Sequence, residues 1–151
     1  MITDLEKAIY HVLIEAQASG KPLEDVAEIA ETNLEELEKG GITLGGGEEF
    51  YQGGSGNQRD FCRAEVEIHC VVKTTRGKKF RAAEIDADGM AKAVRKVLKG
   101  NLKLTSTEYP GGFLEQDLRI VKTISGYGKQ VGSWVAIATV TIEAFYNEEY
   151  A

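Results

Sequence analysis

Two cysteines, two histidines, a run of carboxylates and a glycine-rich stretch are the groups of this 151-residue chain whose types and spacing could do chemistry. Cys62 and Cys70 do not have metal-ligand spacing, and along one strand they would lie too far apart to bridge to each other. Both fall at even positions of an alternating segment, so they read as small buried hydrophobes in a reducing compartment. A catalytic nucleophile needs a base within hydrogen-bond reach and a third group that orients the base. His11 falls within a helical pattern and His69 on the polar side of a strand, and no motif places a serine, cysteine or carboxylate beside either.

The acids Glu24, Asp25, Glu28, Glu31, Glu35 and Glu36 invite a metal or acid–base reading, but they follow a weak helical pattern with no histidine near. A solvated acidic face accounts for them better. The glycines between Gly40 and Asn57 invite a phosphate cradle. That reading fails, because the segment lacks the Gly-Lys-Ser/Thr ending and the G-x-G-x-x-G spacing, and Glu48 and Glu49 would repel phosphate. The segment reads instead as a flexible arm, with Phe50 and Tyr51 as docking anchors. Arg76, Lys78, Lys79 and Arg81 form a basic connection that suits an acidic partner or a solvated turn, and Asp86 and Asp88 complement a helix dipole. No catalytic, cofactor-binding or metal-binding residue is assigned, and the chain is expected to be an assembly or binding module, not an enzyme.

Composition agrees with one ordinary folded domain: 42% of the residues are hydrophobic and 28% charged. The first sixty residues hold 13 acids and 4 bases, a net −9, whereas residues 61–151 hold 11 acids and 14 bases, a net +3. This split argues against nonspecific nucleic-acid binding by the whole chain; it can help identical subunits meet head to tail, but a solvated surface accounts for it better. DNA contact is not predicted, although the basic connection offers a place for it. The start MITDLEKAIY carries early acids and no basic leader, and no apolar run approaches a membrane span, so a cytoplasmic location is expected.

The elements that must position these groups are legible in part. Thr3 and Glu6 make a capping box, and Ile2, Leu5, Ile9, Val12, Leu13 and Ala16 recur with helical period up to Ser19-Gly20. A second, weaker helical stretch follows Pro22. From Cys62 to Lys73 the even positions are apolar and the odd ones mostly polar, which predicts a strand with one wet face. A strong helix follows from about Ala82 to Lys99, with a stripe of Ile85, Met90, Ala91, Val94, Val97 and Leu98. Gly89 within it predicts a bend or close packing. Three strands are then expected: Leu102 to Thr107, Leu114 to Ile124 and a central one from Trp134 to Tyr146. The predicted fold class is α+β, a mostly antiparallel sheet of about four strands with two main helices packed on one face. It forms a single domain over residues 1–151, with a helical and glycine-rich insertion at about 21–60.

The strand-connection-helix run over residues 63–101, the closing strand WVAIATVTIEAFY and the opening helix LEKAIYHVLIEA together resemble the tail-terminator and head–tail joining (neck) proteins of long-tailed bacteriophages and prophages. The resemblance implies an α+β fold, a homo-oligomeric ring that is commonly a hexamer, and contact with other tail or neck proteins. It also implies a place in the virion after assembly in the host bacterial cytoplasm, and no catalysis. On this reading the strand edges and the connection from Lys73 to Arg81 are the candidate contacts. The acidic and glycine-rich stretches from Pro22 to Asn57 are longer than the resemblance implies. The alternative is a small cytoplasmic regulatory or ligand-binding α+β domain, with a pocket between sheet and helices near Trp134 and Tyr109.

Overall fold

The computed structural model describes residues 2–31, 40–53, 59–74, 80–130 and 133–149. The elements in chain order are α1 (Ile2–Glu15), β1 (Ile29–Ala30), β2 (Gly41–Gly53), β3 (Arg59–Lys73), α2 (Phe80–Lys99), β4 (Arg119–Gln130) and β5 (Ser133–Glu149). The strands form one sheet in the order β1-β2-β3-β5-β4. All neighbours are antiparallel except β1, which runs parallel to β2 and pairs only through Ile29–Ile42 and Ala30–Thr43. The α+β class and the mostly antiparallel sheet are as expected; four long strands are joined by a fifth, the two-residue β1.

The alternation read in β3 sets the layers. Cys62, Ala64, Val66, Ile68 and Cys70 are buried, and the odd positions from Phe61 to His69 are half-exposed. On the buried side of the sheet, Ala64, Val66, Ile68 and Cys70 share one core with the stripes of both helices: Leu5, Ala8, Ile9, Val12 and Leu13 of α1, and Ala83, Ala87, Ala91, Val94 and Leu98 of α2. The α2 stripe is alanine-rich where β5 presents Ala136, Ala138 and Ala144, so small residues meet small ones and the helix axis can approach the sheet closely. Ile85, expected in this stripe, is instead 60% exposed, because the buried positions 83, 87 and 91 repeat every four residues and leave 85 on the far side. Space is open around Gly89, so the close packing expected there is not found, and the helix runs on through it.

Three other expectations are corrected. The glycine-rich segment is no flexible arm over Gly41–Gly53, which forms β2, paired along its length with β3. Its glycines serve the ladder: a side chain at Gly40 (φ 79°) would strike the Val71 carbonyl at 2.6 Å, and Gly46 (φ 67°) sits in a bulge between Leu44 and Gly47. The helix expected after Pro22 is a set of turns leading into β1, with Gly20 N–H donating to the Glu24 carboxylate at 2.8 Å; residues 32–39 lie outside the described residues. The strand expected from Leu102 to Thr107, and the first part of that expected from Leu114, are an irregular segment instead.

This segment bonds to itself. Leu118, Leu114 and Phe113 N–H donate to the carbonyls of Leu102, Lys103 and Leu104, and the Asn101 side chain bonds both the N–H and the carbonyl of Thr105. Leu104, Leu114 and Leu118 thereby enter the core from irregular backbone. Leu104 is fully buried although its φ of 56° lies in the left-handed region that a branched residue adopts at a cost of about 1 kcal/mol or more.

Two substitutions test these placements by chemical denaturation. Leu104→Ala should cost about 2–4 kcal/mol, through lost burial and the cavity left behind. Gly89→Ala should stabilise by about 0.5–1 kcal/mol, since a methyl group there meets nothing.

Candidate functional site

Polar chemistry collects in two places, one on each face of the sheet. On the helix side, α2 and the outer strand β4 are laced by side chains. Tyr127 Oη donates to Glu84 Oε1 at 2.7 Å, Ser125 Oγ donates to Asp88 Oδ1 at 2.8 Å, and Arg95 Nη1 donates to Thr123 Oγ1 at 2.9 Å. A small cavity of about 180 Å³ opens between them, lined by Glu84, Ala87, Asp88, Ser125, Gly126, Tyr127, Ala136 and Ile137. The Glu84 carboxylate beside Tyr127 raises the phenol above its ordinary pKa. This cavity is smaller than the few hundred Å³ usual for a ligand site, and its two carboxylates already accept bonds from its own walls. Trp134 and Tyr109, expected beside a pocket, do not line it; Tyr109 packs edge-on against Phe113 at 5.2 Å.

On the helix-free face, β3 and β5 present a carpet of charge. Arg63 Nη1 reaches Glu143 Oε2 at 3.0 Å and Glu65 Oε1 at 3.4 Å, and Arg119 approaches Glu143 at 3.8 Å. Glu143 is only 8% exposed and is held by two guanidinium groups from the flanking strands. The Arg63 guanidinium also lies 4.1 Å from the ring centre of Phe50, and Phe61 stacks on Phe145 at 5.8 Å. Nearer the bulge in β2, a groove of about 300 Å³ is lined by Gly46, Gly47, Glu48, Glu65, Glu67, Lys122 and Thr141.

His69 belongs to a short relay on this face that its sequence neighbours do not announce. Its Nδ1 lies 2.9 Å from Thr139 Oγ1, and its Nε2 lies 3.4 Å from Glu67 Oε2. A hydroxyl, an imidazole and a carboxylate in line are the elements of a catalytic triad. Here they are the ordinary neighbours of a sheet, since His69 and Thr139 stand directly opposite and Glu67 is two residues along the same face. His69 and Thr139 sit in strands paired on both sides, so the backbone N–H groups around them are committed to the ladder. Cys70 has its thiol pushed up to about 12 by burial, which leaves it un-ionised at neutral pH. Among the described residues no group of three or more histidines, cysteines, aspartates or glutamates is placed to hold a metal, and no helix is long and apolar enough to cross a membrane.

The residues singled out as contacts fall on opposite sides of the molecule. Phe50 and Tyr51 lie exposed on β2, on alternate faces of the sheet. Arg81 stands at the start of α2, exposed and 3.6 Å from Glu84, beside the β4 edge. Arg76, Lys78 and Lys79 lie outside the described residues. Exposed Val121, Ile124 and Tyr127 sit on β4, so both outer strands carry large exposed apolar groups. Sequence reasoning passed over Glu143 and the β4 ladder. The signals were present: a lone acid inside an apolar strand calls for a partner, and Thr123, Ser125 and Tyr127 repeat every second residue against acids four apart on α2. No protein-family model matches the chain, and no curated protein matches it.

Removing the acid that both guanidinium groups share should show in the fold. Glu143→Ala is expected to cost about 1–3 kcal/mol in urea denaturation, and Glu143→Gln, which keeps an acceptor, should cost less.

Proposed function

We propose that this chain is a structural protein of a phage or prophage virion, a tail terminator or head–tail joining component that works by ring-like self-assembly and by contact with neighbouring tail or neck proteins. The observation that carries the self-assembly is a sheet that, among the described residues, is covered by helices on one face and lacks a full-length partner at either edge. Helices cover its buried side, whereas β4 is paired only with β5, and β2 has an outer partner only at Ile42 and Thr43 among the described residues. Long outer strands bearing exposed Phe50, Tyr51, Val121, Ile124 and Tyr127 are places where another chain can add. The resemblance of residues 63–101 and 134–146 to terminator and neck proteins supports the virion setting. The second reading, a non-catalytic ligand-binding domain, draws on the cavity between α2 and β4. Its small volume and its self-satisfied carboxylates weigh against it.

Solution mass by light scattering behind size exclusion, over a range of concentrations and with electron micrographs of any large species, separates the two. A closed ring, a hexamer above all, is expected. A strict monomer at every concentration would move the weight to the binding-domain reading.

A further inference from the structure

The two outer strands differ in charge as well as in position. Beyond the pairing with β1, the outer stretch of β2 reads Gly47-Glu48-Glu49-Phe50-Tyr51, and β4 opens with Arg119 and continues through Lys122. Cross-strand register places Glu48 opposite Glu65 and Phe50 opposite Arg63. It likewise places Arg119 opposite Glu143 and Lys122 opposite Thr141. Since Glu65–Glu143 and Glu67–Thr141 are themselves cross-strand pairs, Glu48, Phe50, Arg119 and Lys122 all project from the same, helix-free face. One edge of that face is therefore acidic and the other basic.

Strand direction makes these two edges compatible. β2 and β5 run one way, and β3 and β4 the other. Setting β4 of one molecule beside β2 of the next continues the antiparallel alternation and keeps the helices of both on the same side. We infer that the chain self-assembles by this addition, the β4 edge of one copy pairing with the β2 edge of its neighbour so that Lys122 meets Glu48. The inference rests on the self-assembly proposed above and specifies its contact. The residue bulged out at Val121 brings Arg119 to the face of Lys122, so that Phe50, two positions from Glu48, faces Arg119 in the same register.

The alternatives among like edges are disfavoured. A two-fold pairing of β2 with β2 sets Glu48 and Glu49 against their own copies, and β4 with β4 brings two basic edges together. Charge on an edge strand ordinarily blocks pairing with whatever arrives. Here the opposite sign on the other edge makes the block selective and the contact heterologous, the kind that closes into a ring when the rotation between copies permits.

The test is a charge swap in the full chain, read by light scattering and sedimentation for the wild type, Lys122→Glu, Glu48→Lys and the double variant. Circular dichroism on each checks that the fold is kept. Each single reversal should weaken self-association by about tenfold or more, and the double variant should recover most of the loss. Association of the wild type should also weaken as salt is raised. An oligomer indifferent to either single change, or a double variant no better than the singles, overturns the β4–β2 contact and leaves self-assembly standing. A wild type that stays monomeric at every concentration overturns self-assembly and this contact with it.

Discussion

The pairing of β3 with β5 is the interaction from which the rest of the molecule is built. It runs without a register shift from Arg59–Glu149 to Lys73–Val135 and joins segments more than sixty residues apart. Each side of that ribbon has a fixed character. The even residues of β3 from Ala64 to Val72 and their partners on β5 are apolar and support both helices; odd residues and theirs carry Arg63, Glu65, Glu67, His69, Thr139, Thr141 and Glu143. A slip of one residue would exchange the two faces, burying the charges and exposing the core, so the alternation itself holds the register. The flanking strands attach with less discipline. β2 carries a bulge between Leu44 and Gly47 and β4 one between Ile120 and Lys122, so irregularity is confined to the strands that form the rims.

The bulge in β4 has a chemical effect. Ile120 is on the helix side; past the extra residue, Thr123, Ser125 and Tyr127 take that side and Ile124 turns to the open face. The outer strand thus meets α2 through hydroxyl groups, answered by Arg95, Asp88 and Glu84. Beneath β3 and β5 the same helix presents alanine and valine. One helix therefore joins two kinds of interface, close apolar packing over the centre and hydrogen bonds at the rim. Exposed hydrogen bonds of this sort contribute modestly to stability but are strongly directional. Their effect is to hold the position of β4 more than to add to the core.

How much of this was legible depended on whether neighbours in sequence were neighbours in space. The helices and β3 have clear periods, because each buries one stripe against a single surface, and Trp134 to Tyr146 reads as central because it is apolar on both sides. β2 was missed because only Ile42 and Leu44 alternate before the bulge, and glycines that usually mark a loop here permit close approach and a positive φ. The segment between α2 and β4 was misread for the opposite reason. Its leucines suit a strand, but Leu104, Leu114 and Leu118 reach the core from a chain whose backbone bonds are local, and composition cannot distinguish the two. Glu143 escaped because a carboxylate in an apolar run makes sense only once Arg63 and Arg119, distant in sequence, are seen beside it.

The charge network also bears on which surface is available for association. Covering the open face with a flat partner would bury Glu143, Glu65, Glu67, Arg63 and Arg119 together, and charges taken from water repay their desolvation only when every one is well paired. The edges make a smaller demand. Their backbone N–H and C=O groups are satisfied by another strand, and only a few charges, near the rim of the contact, need partners. Salt-bridged, aromatic-flanked and partly self-satisfied, the open face is better suited to remain hydrated, which agrees with the proposed contact through the edges. Sheets joined by the proposed β4–β2 contact would present a continuous polar face on one side and a layer of helices on the other, because Arg63, Glu65 and Glu67 share one face of β3.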